Sequence, residues 1–543
     1  MKRRPKKSCC LRVISTSAFA SVHDALKGIQ VTEPDEGTPE YWSVHRPDVP
    51  AVICGDSTLT YRQWNEAADR VADGLARLGL GEGDRIGMRF RLSTEWFVVQ
   101  RALQKLGVTQ VAVNWRLTVD EVLHILGDSG AKGLACNDID ASSWAGVDVG
   151  LLITVSQDDG GIGIRYEDLL QTSNALPRFG AARPKMVLYT SGTTGRPRGV
   201  PPTDMGTVAD VDRLLRYTAS VASIPPLPDG VRTLLTMPVH HGAGPSIAAR
   251  TCALGGTVVA LDPYHAQDAL ALIDRHKVQS WTAVPTMLLR IQKLLVETLD
   301  RYDLSSLRVI GVGAAPVPQS LKDWIVRRFG DDVLWESYGA SEAGMITYTP
   351  PRYQLTKPGT SGRPYDGVQI VIVDRDWTRL PVGSVGEVAV DTPVVLRNYL
   401  GGPNLADSVI KDGFYRTGDV GYLDADGFLY ITDRLKDMIV AGGVNIYPAE
   451  IEKALVCHPG VIDAAVIGIP HDDFGEQPLA FIIADPKASP SEDDLLRFLD
   501  GHLARYKKPR QFVFVEELPR NPAGKVLKGN LRQPYWSGRL RHV

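Results

Sequence analysis

A short stretch near the middle of the chain, YTSGTTGRPRGV from Tyr189 to Val200, follows the apolar residues of an expected strand. Thr190, Ser191, Thr193 and Thr194 offer hydroxyl donors. Gly192, Gly195 and Gly199 let backbone N–H groups approach a ligand, and Arg196 and Arg198 add positive charge. Hydroxyls, close amides and guanidinium groups in one loop suit the oxygens of a polyphosphate. No Lys-Ser or Lys-Thr follows at the spacing that the common nucleotide P-loop requires, so the loop is of another kind.

Positioning such a loop takes a covered sheet, and the surrounding pattern supplies one. Thr60 caps an expected helix whose apolar side is Trp64, Ala68, Val71, Leu75 and Leu78, with Gly79 or Gly81 as its stop. Arg85 to Phe90 reads as a strand, Thr94 to Leu106 contains a helix, and Val108 to Val113 is the next strand. Thr118 and Glu121 form a capping box opening a helix that should end before Gly127. The same alternation returns with strand 257–261, helix 266–276, strand 280–284 and strand 307–312. Such repetition argues for a largely parallel sheet with helices on its faces. Near 368–374 and 386–390, short strands between turns indicate an antiparallel β unit. From about 437 a compact α+β module begins, with helices at 449–456 and 492–503 and strands at 464–468 and 479–484. The fold class is therefore α/β: a large N-terminal part with α/β sheets and a β-rich subdomain, then a small C-terminal α+β domain. The expected boundaries are a disordered basic tail over 1–37, a large domain over 38–435 and a mobile domain over 436–535.

Composition narrows the function. The 543 residues are 44% hydrophobic, enough for more than one core. The net charge of −3 gives no basic field for nucleic acid. Six cysteines without a CxxC pair or a His/Cys cluster fit a reducing cytoplasm and indicate no structural metal. The basic N-terminus is interrupted by Arg12, Ser15, Thr16 and Ser17, unlike a signal peptide, and no apolar run is long enough to span a bilayer. Any membrane contact would be peripheral, and a homodimer is left open.

Further motifs follow the phosphate loop in order: PVHHGAG (Pro238 to Gly244), VPTM (Val284 to Met287), GAAP (Gly313 to Pro316), ESYGASE (Glu336 to Glu342), YRTGDVG (Tyr415 to Gly421), DRLKDMIVAGGVNIYPAEIE (Asp433 to Glu452) and LPRNPAGK (Leu518 to Lys525). Over roughly residues 40 to 530 the chain resembles the adenylate-forming superfamily, in its acyl-CoA synthetase branch. The resemblance implies two half-reactions. A carboxylic acid first attacks ATP to give acyl-adenylate and pyrophosphate; coenzyme A then displaces AMP. It also implies roles. Thr190, Ser191, Gly192, Thr193, Thr194, Gly195 and Arg198 would hold the β- and γ-phosphates, with Arg198 where lysine is usual. Glu342 would bind Mg2+. Tyr338 would pack on adenine, with Gly313, Ala314, Ala315, Gly339 and Ser341 beside it, the serine replacing a commoner threonine. Asp419 would accept hydrogen bonds from the ribose hydroxyls, and Arg434 would contact ribose or phosphate. Lys436 occupies the family's hinge position, and Gly442 and Gly443 would pass the pantetheine arm. Lys525 would bridge the substrate carboxylate and the α-phosphate, as the catalytic cation. His241 would orient the carboxylate or gate the thiol, although the adjacent His240 blurs that assignment.

The residues expected to line the acyl pocket, Val239 to Ser246, Thr282 to Met287, Gly311 to Ala315 and Gly344 to Ile346, are mostly small or apolar. They imply a fatty, aromatic or alicyclic acid. The alternative is a stand-alone adenylation enzyme that loads a carrier protein. Gly242 to Pro245 contain no acid to hold an amino acid's ammonium, and no carrier domain follows residue 530. Val440 stands where luciferases and many ligases carry lysine. A nucleotide sensor without catalysis is disfavoured by the retention of Lys525, Glu342 and Asp419.

Overall fold

The computed structural model describes residues 34–137, 144, 146–155, 162–171, 178, 180, 185–190, 197–203, 210–402, 405–406, 408–441, 444–520 and 524–537. These form two compact units. The first takes the described residues up to Thr282 with Leu294–Ile310 and Leu396–Leu405; the second takes Ala283–Lys293, Gly311–Val395 and the described residues from Ala406 onward.

The first unit is built from parallel strands. One sheet runs in the order Ile164–Arg165, Leu151–Thr154, Gly133–Cys136, Arg85–Arg89, Thr109–Ala112, Met186–Thr190 and Arg198–Val200. Every neighbouring pair is parallel except the last, which is antiparallel. A second set places Ser280–Ala283, Arg232–Leu235, Thr257–Ala260 and Pro50–Cys54 side by side in parallel, with Ser57–Thr60 antiparallel at the edge. Helix Tyr61–Arg77 begins as its capping box dictates: Gln63 N donates to Thr60 Oγ1 at 3.2 Å, and Thr60 N donates to Gln63 Oε1 at 2.9 Å. Trp64, Ala68, Val71 and Leu75 are all buried. Leu78 departs from the expected apolar face: it is the C-cap residue and 43% exposed, because the chain leaves the helix there and Gly79 follows at φ 86°.

The Thr118 capping box forms as expected, but the helix runs through Gly127 to Ser129. Nothing lies within 4 Å of the Cβ position of Gly127, so this glycine marks no turn or close approach. Gly130, at φ 62°, is the residue that takes the left-handed cap.

The second unit is dominated by antiparallel pairing. Strands Leu334–Ala340, Gly344–Thr349 and Arg363–Pro364 form one antiparallel group. A five-stranded sheet has Gln369–Val373, Gly386–Asp391 and Phe414–Leu423 at its centre, with Ile410–Lys411 and Leu429–Arg434 pairing with the long strand. The C-terminal α+β module orders its strands as Val444–Ile446, Ile439–Ala441, Gly475–Ala484 and Val461–His471, and Gln511–Phe514 joins Gly475–Ala484 in parallel. Helices Pro448–Val456 and Glu492–Asp500 bury Ile451, Leu455, Leu495 and Leu499 against Val466, Ala480 and Ile482 of the sheet. Each such aliphatic side chain contributes about 1.5–3 kcal/mol by leaving water. The second of these helices stops at Asp500, three residues short of the expected Leu503, with Gly501 as its C-cap.

Candidate active site

In the first unit, a β-hairpin holds the ends of the phosphate loop. Thr190 pairs with Arg198 across the antiparallel strands Met186–Thr190 and Arg198–Val200. Ser191, Gly192, Thr193, Thr194, Gly195 and Arg196 lie outside the described residues. The hairpin base is tightly packed. A Cβ on Gly199 would sit 3.1 Å from Tyr189 Cζ and 3.2 Å from Leu400 Cβ, and Leu400 N donates to Gly199 O at 2.8 Å. Tyr189 donates its hydroxyl to Asp128 Oδ2 at 2.6 Å, and the Arg198 guanidinium lies 5.4 Å from the ring centre of Tyr399.

The histidine pair sits in the turn between strand Arg232–Leu235 and helix Ala243–Ala253. A Cβ on Gly244 would come within 2.4 Å of Pro238 O, so this turn requires glycine. The two rings are 4.6 Å apart. His240 is 6% exposed, and neither of its ring nitrogens has a hydrogen-bond partner among the described residues. Burial, with smaller contributions from His241 and Arg116, lowers the His240 pKa to about 3. Burial and then Arg116 also lower that of His241. Both imidazoles are therefore neutral near pH 7.

In the second unit, residues from four motifs converge. Asp419 is paired in register with Arg434 across strands Phe414–Leu423 and Leu429–Arg434. Its Oδ1 is 3.0 Å from Arg434 Nε, and its Oδ2 accepts the Tyr338 hydroxyl at 2.6 Å. Its backbone N–H donates to Thr417 Oγ1 at 3.1 Å. The Asp419 carboxylate is 6% exposed. A carboxylate offers about four lone-pair sites, so two remain for further donors. Burial, then the Asp419 charge and hydrogen bond, push the Tyr338 phenol well above its usual pKa, so it stays a donor.

Tyr338 precedes a register shift at Gly339, whose Cβ would lie 2.5 Å from Gly344 O. A Cβ on Gly313 would lie 2.7 Å from Ser337 O, and the exposed Ala314 takes φ 65°. That left-handed conformation is strained for a residue with a side chain. Ala315 is half-buried. Ser341 is exposed and Glu342 half-buried in the turn joining strands Leu334–Ala340 and Gly344–Thr349.

Lys525 is half-buried next to Gly524, which has φ 78° and a Cβ position 2.9 Å from Thr286 Oγ1. Burial and then Arg434 lower the Lys525 pKa to about 8; Asp419 raises it, Lys436 lowers it and Asp437 raises it. Lys525 thus feels the charges of Arg434, Asp419, Lys436 and Asp437. Gly442 and Gly443 lie outside the described residues.

Asp433, Asp437, Lys528 and Arg532 were not singled out from sequence, yet they surround the segment containing Lys436. Arg532 Nη2 is 2.8 Å from Asp437 Oδ1, Arg532 Nη1 donates to Lys436 O at 3.1 Å, and Lys528 Nζ is 2.7 Å from Glu452 Oε1. The available signal was the charge pattern of Asp433 to Asp437; its partners lie 16 to 96 residues away. Among the described residues, no helix is long and apolar enough to cross a membrane.

This arrangement, two units holding the ordered motifs of a nucleotide-using ligase, agrees with the comparisons to known proteins. The family model for AMP-binding enzymes matches residues 40–400, and that for the AMP-binding enzyme C-terminal domain matches residues 450–525. The chain belongs to the AMP-binding enzyme family and is an AMP-forming ligase. A fatty acid–[acyl-carrier-protein] ligase, ScoC of Streptomyces coeruleorubidus, is 34% identical over 513 residues, covering 93% of this chain and 97% of that protein. The long-chain-fatty-acid–CoA ligase FadD13 of Mycobacterium tuberculosis is 32% identical over 500 residues, covering 88% and 94%. Among solved structures, o-succinylbenzoate coenzyme A synthetase from Bacillus subtilis in complex with ATP and magnesium ion aligns with a TM-score of 0.78. It is 28% identical and covers 92% of this chain and 99% of that one.

Proposed function

We propose that the chain is an ATP-dependent acyl-CoA synthetase acting on a carboxylic acid with an apolar body. In the first step a carboxylate oxygen attacks the α-phosphorus of ATP, the α–β phosphoanhydride bond breaks, and pyrophosphate leaves. In the second the thiol sulfur of coenzyme A attacks the acyl carbonyl; the carbon–oxygen bond to AMP breaks, and the thiol proton passes to solvent or a base.

The first step brings two anions together, so cations must offset their repulsion. The single observation that best supports the reading is the buried Asp419 carboxylate, held by Arg434 at 3.0 Å and Tyr338 at 2.6 Å, whose charge also acts on Lys525. We assign Lys525 to the carboxylate and α-phosphate, Asp419 to the ribose hydroxyls, and Tyr338 with Gly313, Ala314, Ala315, Gly339 and Ser341 to the adenine end. The loop from Thr190 to Arg198 takes the β- and γ-phosphates. Glu342 is a hard oxygen donor suited to Mg2+, which would enter with ATP and neutralise phosphate charge. His241, neutral at pH 7, can accept a hydrogen bond or a proton from the thiol side. Lys436 is assigned as the pivot between the two half-reactions, and Gly442 and Gly443 to the pantetheine arm. We assign the reaction to the cytoplasm, because six cysteines without a CxxC pair fit a reducing compartment.

A second acceptor is supported by a specific observation, the 34% identity to a fatty acid–[acyl-carrier-protein] ligase. The deciding experiment offers fatty, aromatic and alicyclic acids with ATP and Mg2+, and scores pyrophosphate, AMP and thioester with coenzyme A or a phosphopantetheinyl carrier protein. The expected result is acid-dependent pyrophosphate release and thioester on coenzyme A. Thioester on the carrier alone transfers the reading to the second acceptor, and no pyrophosphate with any acid overturns both.

A further inference from the structure

A buried side-chain contact crosses the segment containing Lys436. Asp433 lies in strand Leu429–Arg434 and is 7% exposed. Its Oδ1 accepts from Arg434 N at 2.7 Å, and its Oδ2 accepts from Ala449 N at 2.8 Å. Ala449 is the second residue of helix Pro448–Val456, whose own N-cap residue, Tyr447, makes no side-chain cap. The unpaired N–H groups and positive dipole end of that helix are thus met by a carboxylate from 16 residues upstream. The groups facing Asp433 are Lys528, which attracts its charge, and Glu452, which repels it.

The position of this bond relative to Lys436 gives it a consequence. Rotation of φ and ψ at a pivot moves everything after that residue relative to everything before it. The Arg532–Asp437 pair and the bond from Arg532 to Lys436 O lie on the far side and can survive such a rotation. The Asp433–Ala449 bond joins the near side to the far side, so the rotation must break it. Helix Lys528–Trp536 begins three residues after Lys525, and its Trp536 indole donates to Gly468 O at 2.9 Å, so the Lys525 turn travels with the far side.

We propose that Asp433 is a positioning residue for the adenylation step, its carboxylate tethering the Ala449 N–H so that the C-terminal module keeps Lys525 beside Asp419 and Arg434. This inference rests on the assignment of Lys525 to the first step and of Lys436 as the pivot. Asp433 touches no reacting atom; it acts by biasing an equilibrium between two arrangements.

The test uses the full chain and measures acid-dependent pyrophosphate release separately from thioester formation on supplied acyl-adenylate. Asp433→Ala should lower the first rate about ten- to a hundredfold, the effect of one charge-assisted hydrogen bond, and leave the second unchanged or faster. Asp433→Asn, whose one amide oxygen can still accept from Ala449 but which loses the charge and the acceptor for Arg434 N, should recover part of the loss. Asp433→Ser, too short to reach, should show the same ratio of half-reactions as the alanine variant and serves if that variant does not fold. Equal losses in both steps, an unchanged ratio, or an asparagine variant as impaired as alanine would each overturn the assignment of Asp433. A parent protein that releases no pyrophosphate with any acid instead defeats the reading on which it rests.

Discussion

Each unit contains a cluster of charged side chains, buried in the first and partly exposed in the second, and the two are built differently. In the first unit Glu40, Arg101, Lys105 and Asp69 have side-chain exposures of 0 to 10%. Two cations meet two carboxylates. Lys105 Nζ reaches Asp69 at 2.7 Å, Glu40 at 2.9 Å, Asn65 at 2.7 Å and the Arg178 carbonyl at 2.9 Å. Arg101 donates to Glu40 at 2.9 Å, Gln104 at 2.7 Å and the Gly180 carbonyl at 3.0 Å. Burial alone would raise the pKa of Glu40, but Arg101 and Lys105 outweigh it and hold it below the usual value.

In the second unit Asp419 pairs with Arg434, whose side chain is 41% exposed, Lys436 is exposed, and Asp437 is paired with Arg532. Lys525 is desolvated and repelled by like charges, and its pKa falls to about 8. A buried cluster that balances its own charges needs no ligand, whereas a half-buried lysine whose pKa is lowered by burial and by neighbouring cations is stabilised by an arriving anion. That difference separates a structural network from a site.

Removing one member of each cluster should give opposite phenotypes. Glu40→Ala leaves the buried Arg101 without a carboxylate, Lys105 keeping Asp69, and is expected to lower unfolding free energy by about 3–5 kcal/mol, read from a denaturant midpoint, with the ratio of the two half-reactions unchanged. A shift in that ratio would show that the first cluster is not purely structural. Lys525→Ala should leave stability unchanged or slightly raised, because it deletes a desolvated cation among cations. It should cut pyrophosphate release by about 10^2–10^3, the usual cost of losing a placed electrostatic group, and impair thiol capture of supplied acyl-adenylate far less. Equal losses in both steps would remove Lys525 from its assigned step.

A smaller effect concerns pH. In its proposed role Lys525 acts protonated, so kcat/KM for adenylation should fall as pH rises through about 8. Lys525→Arg should lower the plateau but abolish that fall, since guanidinium stays charged. A fall that persists in the arginine variant would belong to another group.

Much of the scaffold was legible because it is locally encoded. Thr60 as a cap and the Thr118–Glu121 box name helix starts locally, and helix Ala266–His276 has its expected limits. The stops were less legible. Gly127 and Gly130 are chemically the same, and only the chain's path into strand Gly133–Cys136 decides which takes the left-handed cap. The site was legible as a set of residue types in order, but its contacts were not. Tyr338 and Asp419 are 81 residues apart, Glu40 and Arg101 are 61 apart, and Asp433 caps a helix that its own neighbours leave uncapped.

The amino-acid order alone offered the groups for the proposed chemistry: hydroxyls and glycines suited to phosphate, a carboxylate suited to ribose, a lysine in a Pro/Gly turn. Tertiary structure decided their state. The neutral His240, the Lys525 pKa near 8 and the donor role of Tyr338 all depend on burial and on charges brought close from distant parts of the chain. Desolvation and Coulomb interactions depend on distances in space, which a linear sequence does not specify.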